Sequence, residues 1–270
     1  MICFPNAKIN IGLNIIGKRS DGYHNLETVF FPIKLNDALE FIESKTLHFE
    51  NTGLTIDGDP LNNLCVKAWR LLNQDFTIPP VHIHLHKAIP FGAGLGGGSA
   101  DATFMLKQLN NYFKLNISQE KLIEYALALG SDCPIFIINK PCYGTGRGEI
   151  LESISINISG LYLGLINPGI HVPTKEAFAN ISPKHSAFDL RQSIQQPISE
   201  WKYSIGNDFE NSIFPKYSAI ADIKKQLYNH GALYASMSGS GSSVFGIWSE
   251  ELDLKKLFPH YYCWMSKILQ

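Results

Sequence analysis

The sequence predicts an α+β fold, on three observations. Residues 8–16 and 81–86 alternate apolar and polar side chains with period two, the pattern of half-buried strands. Residues 64–73 and 99–110 carry apolar residues at helical spacing: Leu64, Ala68, Leu71 and Leu72 on one face of the first, Ala102, Met105, Leu106 and Leu109 on one face of the second. Strands and helices mix without a strict βαβ rhythm, which argues against a doubly wound parallel sheet. The 270 residues suffice for one large domain or two small ones.

The elements follow in order. After the strand at 8–16, Lys18-Arg19-Ser20-Asp21-Gly22 reads as a turn with Asp-Gly as its hairpin signal. Residues 28–33 and 39–42 read as further strands, and 64–73 as a helix. The strand at 81–86 leads into a glycine cluster followed by the helix at 99–110. A helix is expected over 119–129, with Ser118 as N-cap, Glu120 in the first turn and Gly130 at the C-terminal cap. The apolar run 135–138 reads as a short buried strand, and Gly144-Thr145-Gly146-Arg147-Gly148 as a loop near a domain boundary. Residues 161–166 and 244–248 read as apolar strands, 219–230 as a helix closed by Gly231, and the aromatic cluster Tyr261, Tyr262 and Trp264 as a packed final strand. Residues 180–205 are polar and poorly patterned. The expected domains are 1–152 and 153–270.

Composition narrows the function. Apolar residues are 45% and charged residues 17%, so the chain is globular, not disordered. Lys plus Arg number 23 against 24 Asp plus Glu, a net charge of −1 that lacks the basic excess of a general nucleic-acid or acidic-membrane binder. Mean hydropathy is −0.03, and no window approaches the ~18 consecutive apolar residues of a membrane span. No basic start and long apolar core mark a signal peptide, so a cytoplasmic location is expected. Cys3, Cys65, Cys133, Cys142 and Cys263 are scattered and odd in number, which speaks for reduced thiols over a zinc cluster or a disulfide framework.

The chemistry concentrates at Pro90-Phe91-Gly92-Ala93-Gly94-Leu95-Gly96-Gly97-Gly98-Ser99-Ala100, where five glycines occupy the seven positions 92–98. Glycine permits positive φ and close backbone approach, and a helix directly after such a loop offers N–H groups and a positive dipole end to an anion. The spacing Gly92-x-Gly94-x-x-Gly97 meets the dinucleotide fingerprint, but no strand runs directly into its first glycine. A P-loop would need Lys where Gly98 stands. A third kind of phosphate loop is therefore expected.

That loop resembles the phosphate loop of the galactokinase, homoserine kinase, mevalonate kinase and phosphomevalonate kinase (GHMP) family. Pro5-x-Ala7-Lys8-Ile9-Asn10-Ile11 resembles the family's first motif, with Asn6 where Pro is usual, and Ser236-Met237-Ser238-Gly239-Ser240-Gly241-Ser242 its third. Within the family, Arg19-x-Asp21-Gly22-Tyr23-His24-x-Leu26 resembles the branch whose substrate carries a cytidine diphosphate group on a methylerythritol unit, in non-mevalonate isoprenoid synthesis. Leu129-Gly130-Ser131-Asp132-Cys133-Pro134 and the stretch from Asn167-Pro168-Gly169 to Phe178 resemble further motifs of that branch, with Cys133 in place of the usual Val.

The resemblance implies a two-domain fold. The N-terminal part would be like the second domain of ribosomal protein S5 with a left-handed crossover, the C-terminal part ferredoxin-like, with the active site in the cleft between them. It implies ATP-dependent phosphorylation with Mg²⁺, Asp132 as the catalytic carboxylate and Lys8 beside it. Residues 90–100 would hold ATP, and Ser238, Gly239, Ser240 and Gly241 would close against the site. Asn10 would orient substrate, while Tyr23, His24, Thr174 and Phe178 would hold the cytidine, Phe178 opposite Tyr23. No protein ligand of the metal is implied, and the enzyme would be a monomer or homodimer. The competing readings are a kinase for another small alcohol such as homoserine, and a non-catalytic nucleotide or sugar sensor. Retention of both Lys8 and Asp132 separates a kinase from a sensor. His82-x-His84-x-His86 puts three imidazoles on one strand face without a nearby carboxylate in the sequence, and reads as a partly exposed face. Lys87 and Lys140 read as surface cations.

Overall fold

The computed structural model describes residues 1–269 except Asp57, Asn180, Ser182, Lys184 and His185. In chain order the strands are β1 (Ile2–Cys3), β2 (Asn6–Lys18), β3 (His24–Asn36), β4 (Ala38–Glu43), β5 (His48–Gly53), β6 (Val81–Lys87), β7 (Cys142–Thr145), β8 (Ile150–Ser153), β9 (Tyr162–Asn167), β10 (Tyr234–Met237), β11 (Val244–Trp248) and β12 (Tyr262–Lys267). The helices are α1 (Leu64–Phe76), α2 (Gly97–Tyr112), α3 (Gln119–Leu129), α4 (Cys133–Ile138), α5 (Thr174–Ala179), α6 (Leu190–Ser193), α7 (Ile198–Ser204), α8 (Phe209–Ile213), α9 (Ser218–Asn229) and α10 (Leu254–Leu257). They form two compact units built from discontinuous segments, so the units do not coincide with the contiguous stretches 1–152 and 153–270.

The first unit comprises Met1–Lys8, Pro32–Phe91 and Gly96–Lys140. Its sheet has the order β1-β4-β6-β5; β4 runs antiparallel to β6, and β5 lies parallel to β6, joined to it through α1. Val81, Ile83 and Leu85 of β6 turn inward onto Ala68, Leu72, Met105, Leu109 and Ala126 of α1, α2 and α3. The α3 caps are those expected: Ser118 Oγ accepts the Lys121 N–H and Gly130 closes the helix. The stretch 135–138 departs from the expected strand and belongs to helix α4. Four consecutive apolar residues do not distinguish a buried strand from a helix buried on all sides; Pro134 in the first turn favours the helix.

The second unit comprises Ile9–Phe31, Gly92–Leu95 and Pro141–Gln270. One sheet has the order β10-β11-β9-β12 with every neighbour antiparallel. Counted along the chain that order is 2-3-1-4, the ferredoxin-like arrangement. The helix α9 covers it with Ile220, Ile223 and Leu227. The other sheet has the order β2-β3-β7-β8. Gly144 belongs to β7, and Gly146 and Gly148 lie in the turn of the β7–β8 hairpin, so the expected loop lies inside a sheet. The described residues of 180–205 hold two short helices, α6 and α7, and Trp201 is buried against Tyr234. Those helices span under two turns each, too short for a periodic signal.

Candidate active site

In the first unit Lys8 ends its segment at 2% exposure, its aliphatic stem against Gly96 of the glycine loop. Its Nζ lies 3.2 Å from Oδ2 of Asp132, whose side chain is 39% exposed. Asp132 occupies the N-cap position of α4 yet caps no backbone N–H. The carboxylate is thus held by the turn and directed at Lys8. Thr103 Oγ1 of α2 donates to the Cys133 carbonyl at 3.0 Å, tying this turn to the helix that follows the glycine loop. Asn6 accepts from Asn139 Nδ2 at 2.9 Å, so the residue standing where Pro is usual braces the far end of α4. Cys133 is fully buried, and burial pushes its thiol up to about 11, which removes it from nucleophilic chemistry.

The glycine loop meets α2 at Gly96, in the left-handed region at φ +68°. A Cβ there would stand 3.0 Å from Lys8 Cε and from Phe136 Cζ. No side chain caps the helix. The Ala100 N–H bonds the Gly96 carbonyl, so the N–H groups of Gly97, Gly98 and Ser99 have no partner within α2. Uncapped amides of this kind, with the helix dipole behind them, are suited to an anion.

Lys87 corrects the expectation of a surface cation. It is buried at 2% exposure and ion-pairs with both Asp37 and Asp101, the latter at 2.8 Å. Asp37 also accepts the N–H groups of Ala88 and Ile89 at 2.6 and 2.8 Å. Burial pushes the Asp101 carboxyl up to about 7 and opposes the charge on Lys87, whose two carboxylate partners nonetheless raise it above its usual value. The cluster fixes the exit of β6 and the second turn of α2, the two ends between which the glycine loop is strung. Lys140 is exposed as expected. A cavity of about 290 Å³ opens beside the loop, lined by Phe49, Ile56, Leu64, Phe91, Asn51 and Asn63 among others. Sequence reading missed it, because only Phe91 of these six lies in a motif.

In the second unit the remaining loop residues meet the other two motifs. Ser238 Oγ donates to the Gly94 carbonyl at 2.8 Å and accepts the Asn10 N–H at 3.2 Å. A Cβ on Gly94 would fall 1.9 Å from the Ser238 carbonyl oxygen, so only glycine fits. Gly239 has φ +54° and Gly241 φ +84°, and Asn207 Nδ2 donates to the Met237 and Gly239 carbonyls at 2.8 Å each. Ser240 lies between these two left-handed glycines. Asn10 is buried, and its Nδ2 donates to Thr28 Oγ1 at 2.9 Å.

The turn before β3 is shaped by Asp21, which accepts the Tyr23 N–H at 3.1 Å and the Arg19 Nε at 3.0 Å; the Tyr23 bond holds its carboxyl below the usual range. Tyr23 is 53% exposed and lies under the Arg147 guanidinium, 4.7 Å from the ring centroid. Arg147 comes from the β7–β8 turn and was not singled out in the sequence. Phe178 stacks on His24, with centroids 4.7 Å apart and planes at 16°, so the ring it faces here is that of His24. Phe209 abuts Phe178 edge-on at 4.8 Å. Desolvation, then Lys18, lowers the His24 pKa. Thr174 is exposed at the start of α5, one turn from Phe178.

Comparison with known proteins gives the family and the fold. Residues 63–140 match the GHMP kinases N terminal domain and residues 191–258 the GHMP kinases C terminal. A 4-diphosphocytidyl-2-C-methyl-D-erythritol kinase of Bacteroides fragilis is 53% identical over 275 residues, covering 99% of this chain and 100% of the relative. A crystal structure of 4-(cytidine 5'-diphospho)-2C-methyl-D-erythritol kinase superposes with TM-score 0.83 at 28% identity, covering 98% of both chains. A crystal structure of mevalonate kinase, at 13% identity and TM-score 0.73 over 100% of both chains, shares the fold.

Proposed function

The chain belongs to the 4-diphosphocytidyl-2-C-methyl-D-erythritol kinase family of GHMP kinases, and from that premise we propose that it transfers the γ-phosphoryl group of ATP to the 2-hydroxyl of 4-diphosphocytidyl-2-C-methyl-D-erythritol. The observation that carries this reading is the buried Lys8 ammonium 3.2 Å from a half-exposed Asp132 carboxylate, beside a helix N-terminus with no side-chain cap. A sensor has no need of that pair.

Phosphoryl transfer asks for positioning and charge neutralisation more than for covalent chemistry. Asp132 accepts or orients the proton of the attacking hydroxyl. Lys8 orients the carboxylate through their ion pair and stabilises the charge that develops on the transferring group. Residues 90–100 wrap the phosphates with backbone N–H groups and the Ser99 hydroxyl. Magnesium fits the donors present: Asp132 offers a carboxylate and Ser99 a hydroxyl oxygen, and Mg²⁺ takes few protein oxygens besides substrate phosphates. When bound, it neutralises phosphate charge. The cavity beside the loop suits the adenine of ATP, with apolar walls for the base faces and the amides of Asn51 and Asn63 for its edge.

Tyr23, His24, Thr174 and Phe178 take the cytidine. The exposed Tyr23 face offers stacking worth ~1–3 kcal/mol per base. His24, kept neutral by its lowered pKa, both donates and accepts, as reading a base edge requires. Asn10 orients substrate while holding the first motif to the third, whose Ser238–Gly241 turn closes on the loop. The division of the chain at 152/153 goes with this proposal, with the two family matches on either side of it. So do a cytoplasmic location and a monomeric or homodimeric state; among the described residues no helix is long and apolar enough to cross a membrane.

A coupled assay of ADP release tests the function, with the cytidylated substrate compared against the same compound without its cytidyl group, homoserine and mevalonate. Turnover with the cytidylated compound alone is expected. Equal turnover without the cytidyl group overturns the substrate assignment, and ATP binding without any turnover points to a sensor.

A further inference from the structure

We propose that His48, Glu50 and His82 form a binding site for a divalent transition-metal ion of the zinc class, on the outer face of the β5–β6 pair. The register creates it. β5 runs parallel to β6 with His48 opposite His82 and Glu50 opposite His84. Side chains alternate across a strand, so Val81, Ile83 and Leu85 enter the core while His82, His84 and His86 are sent outward. On β5, Phe49 and Asn51 line the cavity beside the glycine loop, and His48 and Glu50 lie at the alternate positions. The site and that cavity are therefore on opposite faces of the strand. The carboxylate that the His-x-His-x-His stripe lacks in sequence is supplied by a neighbouring strand, which corrects the earlier expectation of a bare histidine face.

The donor geometry is close to that of a bound ion. One nitrogen or oxygen from each of the three residues lies within 4.8 Å of the others. His82 Nε2 is 3.2 Å from Glu50 Oε1, against the roughly 3.3 Å between ligands of a tetrahedral ion with bonds of about 2.0–2.1 Å. The His48 and His82 rings meet edge to face, with centroids 4.6 Å apart and planes at 73°. His82 Nε2 is also withdrawn from solvent without a well-formed hydrogen bond, an arrangement that a metal would satisfy. His48 and Glu50 are exposed, so a small rotation brings their donors in. Next to them, Thr52 Oγ1 bonds His84 Nε2 at 3.1 Å and His86 Nδ1 at 3.0 Å. Thr52 orients those two rings; among the described residues it is His48, Glu50 and His82 whose donors stand close enough for one ion, three ligands that leave a fourth position to water.

Two imidazoles and one carboxylate select borderline ions such as Zn²⁺ over Mg²⁺, which prefers oxygen donors throughout. The site is thus distinct in chemistry from the metal that accompanies ATP. The test uses the full chain without an affinity tag, stripped with a chelator and titrated with Zn²⁺ against a chromophoric competitor. One equivalent is expected to be withheld from the competitor, undiminished by millimolar Mg²⁺. Glu50→Gln and His82→Ala should each weaken it by at least about 10-fold, and His230→Gln, remote in sequence, should not. Zn²⁺ should raise the melting temperature of the parent chain and not that of the two variants, whose melting without metal checks that they fold. No withheld equivalent, or variants that bind Zn²⁺ like the parent, overturns the proposal.

Discussion

The surroundings of Lys8 and those of Tyr23 differ in what holds them. Lys8 is buried, its stem is packed on a glycine, and the turn that carries Asp132 is tied to α2. Lys87, Asp37 and Asp101 lock both ends of the glycine loop from below. Tyr23 is half-exposed on a turn shaped by Asp21, and its neighbours reach it through side chains, Arg147 over the ring and the His24–Phe178 stack beside it. Groups that stabilise a transition state must stand in place before reaction. Groups that recognise a substrate can be exposed and complete their packing when it arrives. Substitutions near Lys8 are therefore expected to strike stability and kcat, and substitutions near Tyr23 to strike KM.

The largest effect is expected from Lys87→Met, which leaves two buried carboxylates facing an apolar stem. Breaking such a cluster costs about 3–5 kcal/mol, and a carboxyl already at about 7 takes up a proton more readily, which favours the lower end. Denaturant unfolding reads this; a midpoint unchanged from the parent would remove the cluster from the framework of the loop. Next, Asp132→Asn should lower kcat by at least ~10²-fold with little change in KM for the cytidylated substrate. Near-parental kcat would end its assignment as proton acceptor.

Tyr23→Ala should act in the other sense, raising KM for the cytidylated substrate by the equivalent of ~1–3 kcal/mol while kcat holds. A fall in kcat without a change in KM would erase the contrast between the two regions. The smallest effect is on pH dependence. The His24 pKa is depressed in the folded chain, so its contribution to stability is complete above the unfolded value of about 6.5 and is lost as pH falls through the lower folded value. His24→Asn should therefore flatten the decline of the melting temperature below about pH 6.5. A decline as steep as the parent's would place its origin elsewhere.

Much of this was legible in the residues. The helix at 119–129 was readable with its ends, because Ser118 and Gly130 mark them by local hydrogen bonding alone. Strand β11 was readable as a continuous apolar run, and α2 from its periodicity. Helix α4 was misread, since burial on every side erases periodicity. Strand β5 went unseen, since Phe49 is its one buried residue. With β5 unseen, neither the cavity nor the Glu50–His82 approach was in view.

By itself the sequence singled out the candidates for phosphate and substrate chemistry: the glycines at 92–98, Lys8, Asp132 and the Asp21–His24 turn stand out by residue type, spacing and resemblance to family motifs. Only the tertiary structure decided the partners of groups distant in the chain. It turned Lys87 from a surface cation into the buried centre of two ion pairs, set Phe178 on His24, laid Arg147 over Tyr23, and brought Glu50 beside His82. The physical reason is that a charge or a ring is assigned its role by burial and by what faces it. Both are products of strand register and packing between segments tens of residues apart, which no local pattern encodes.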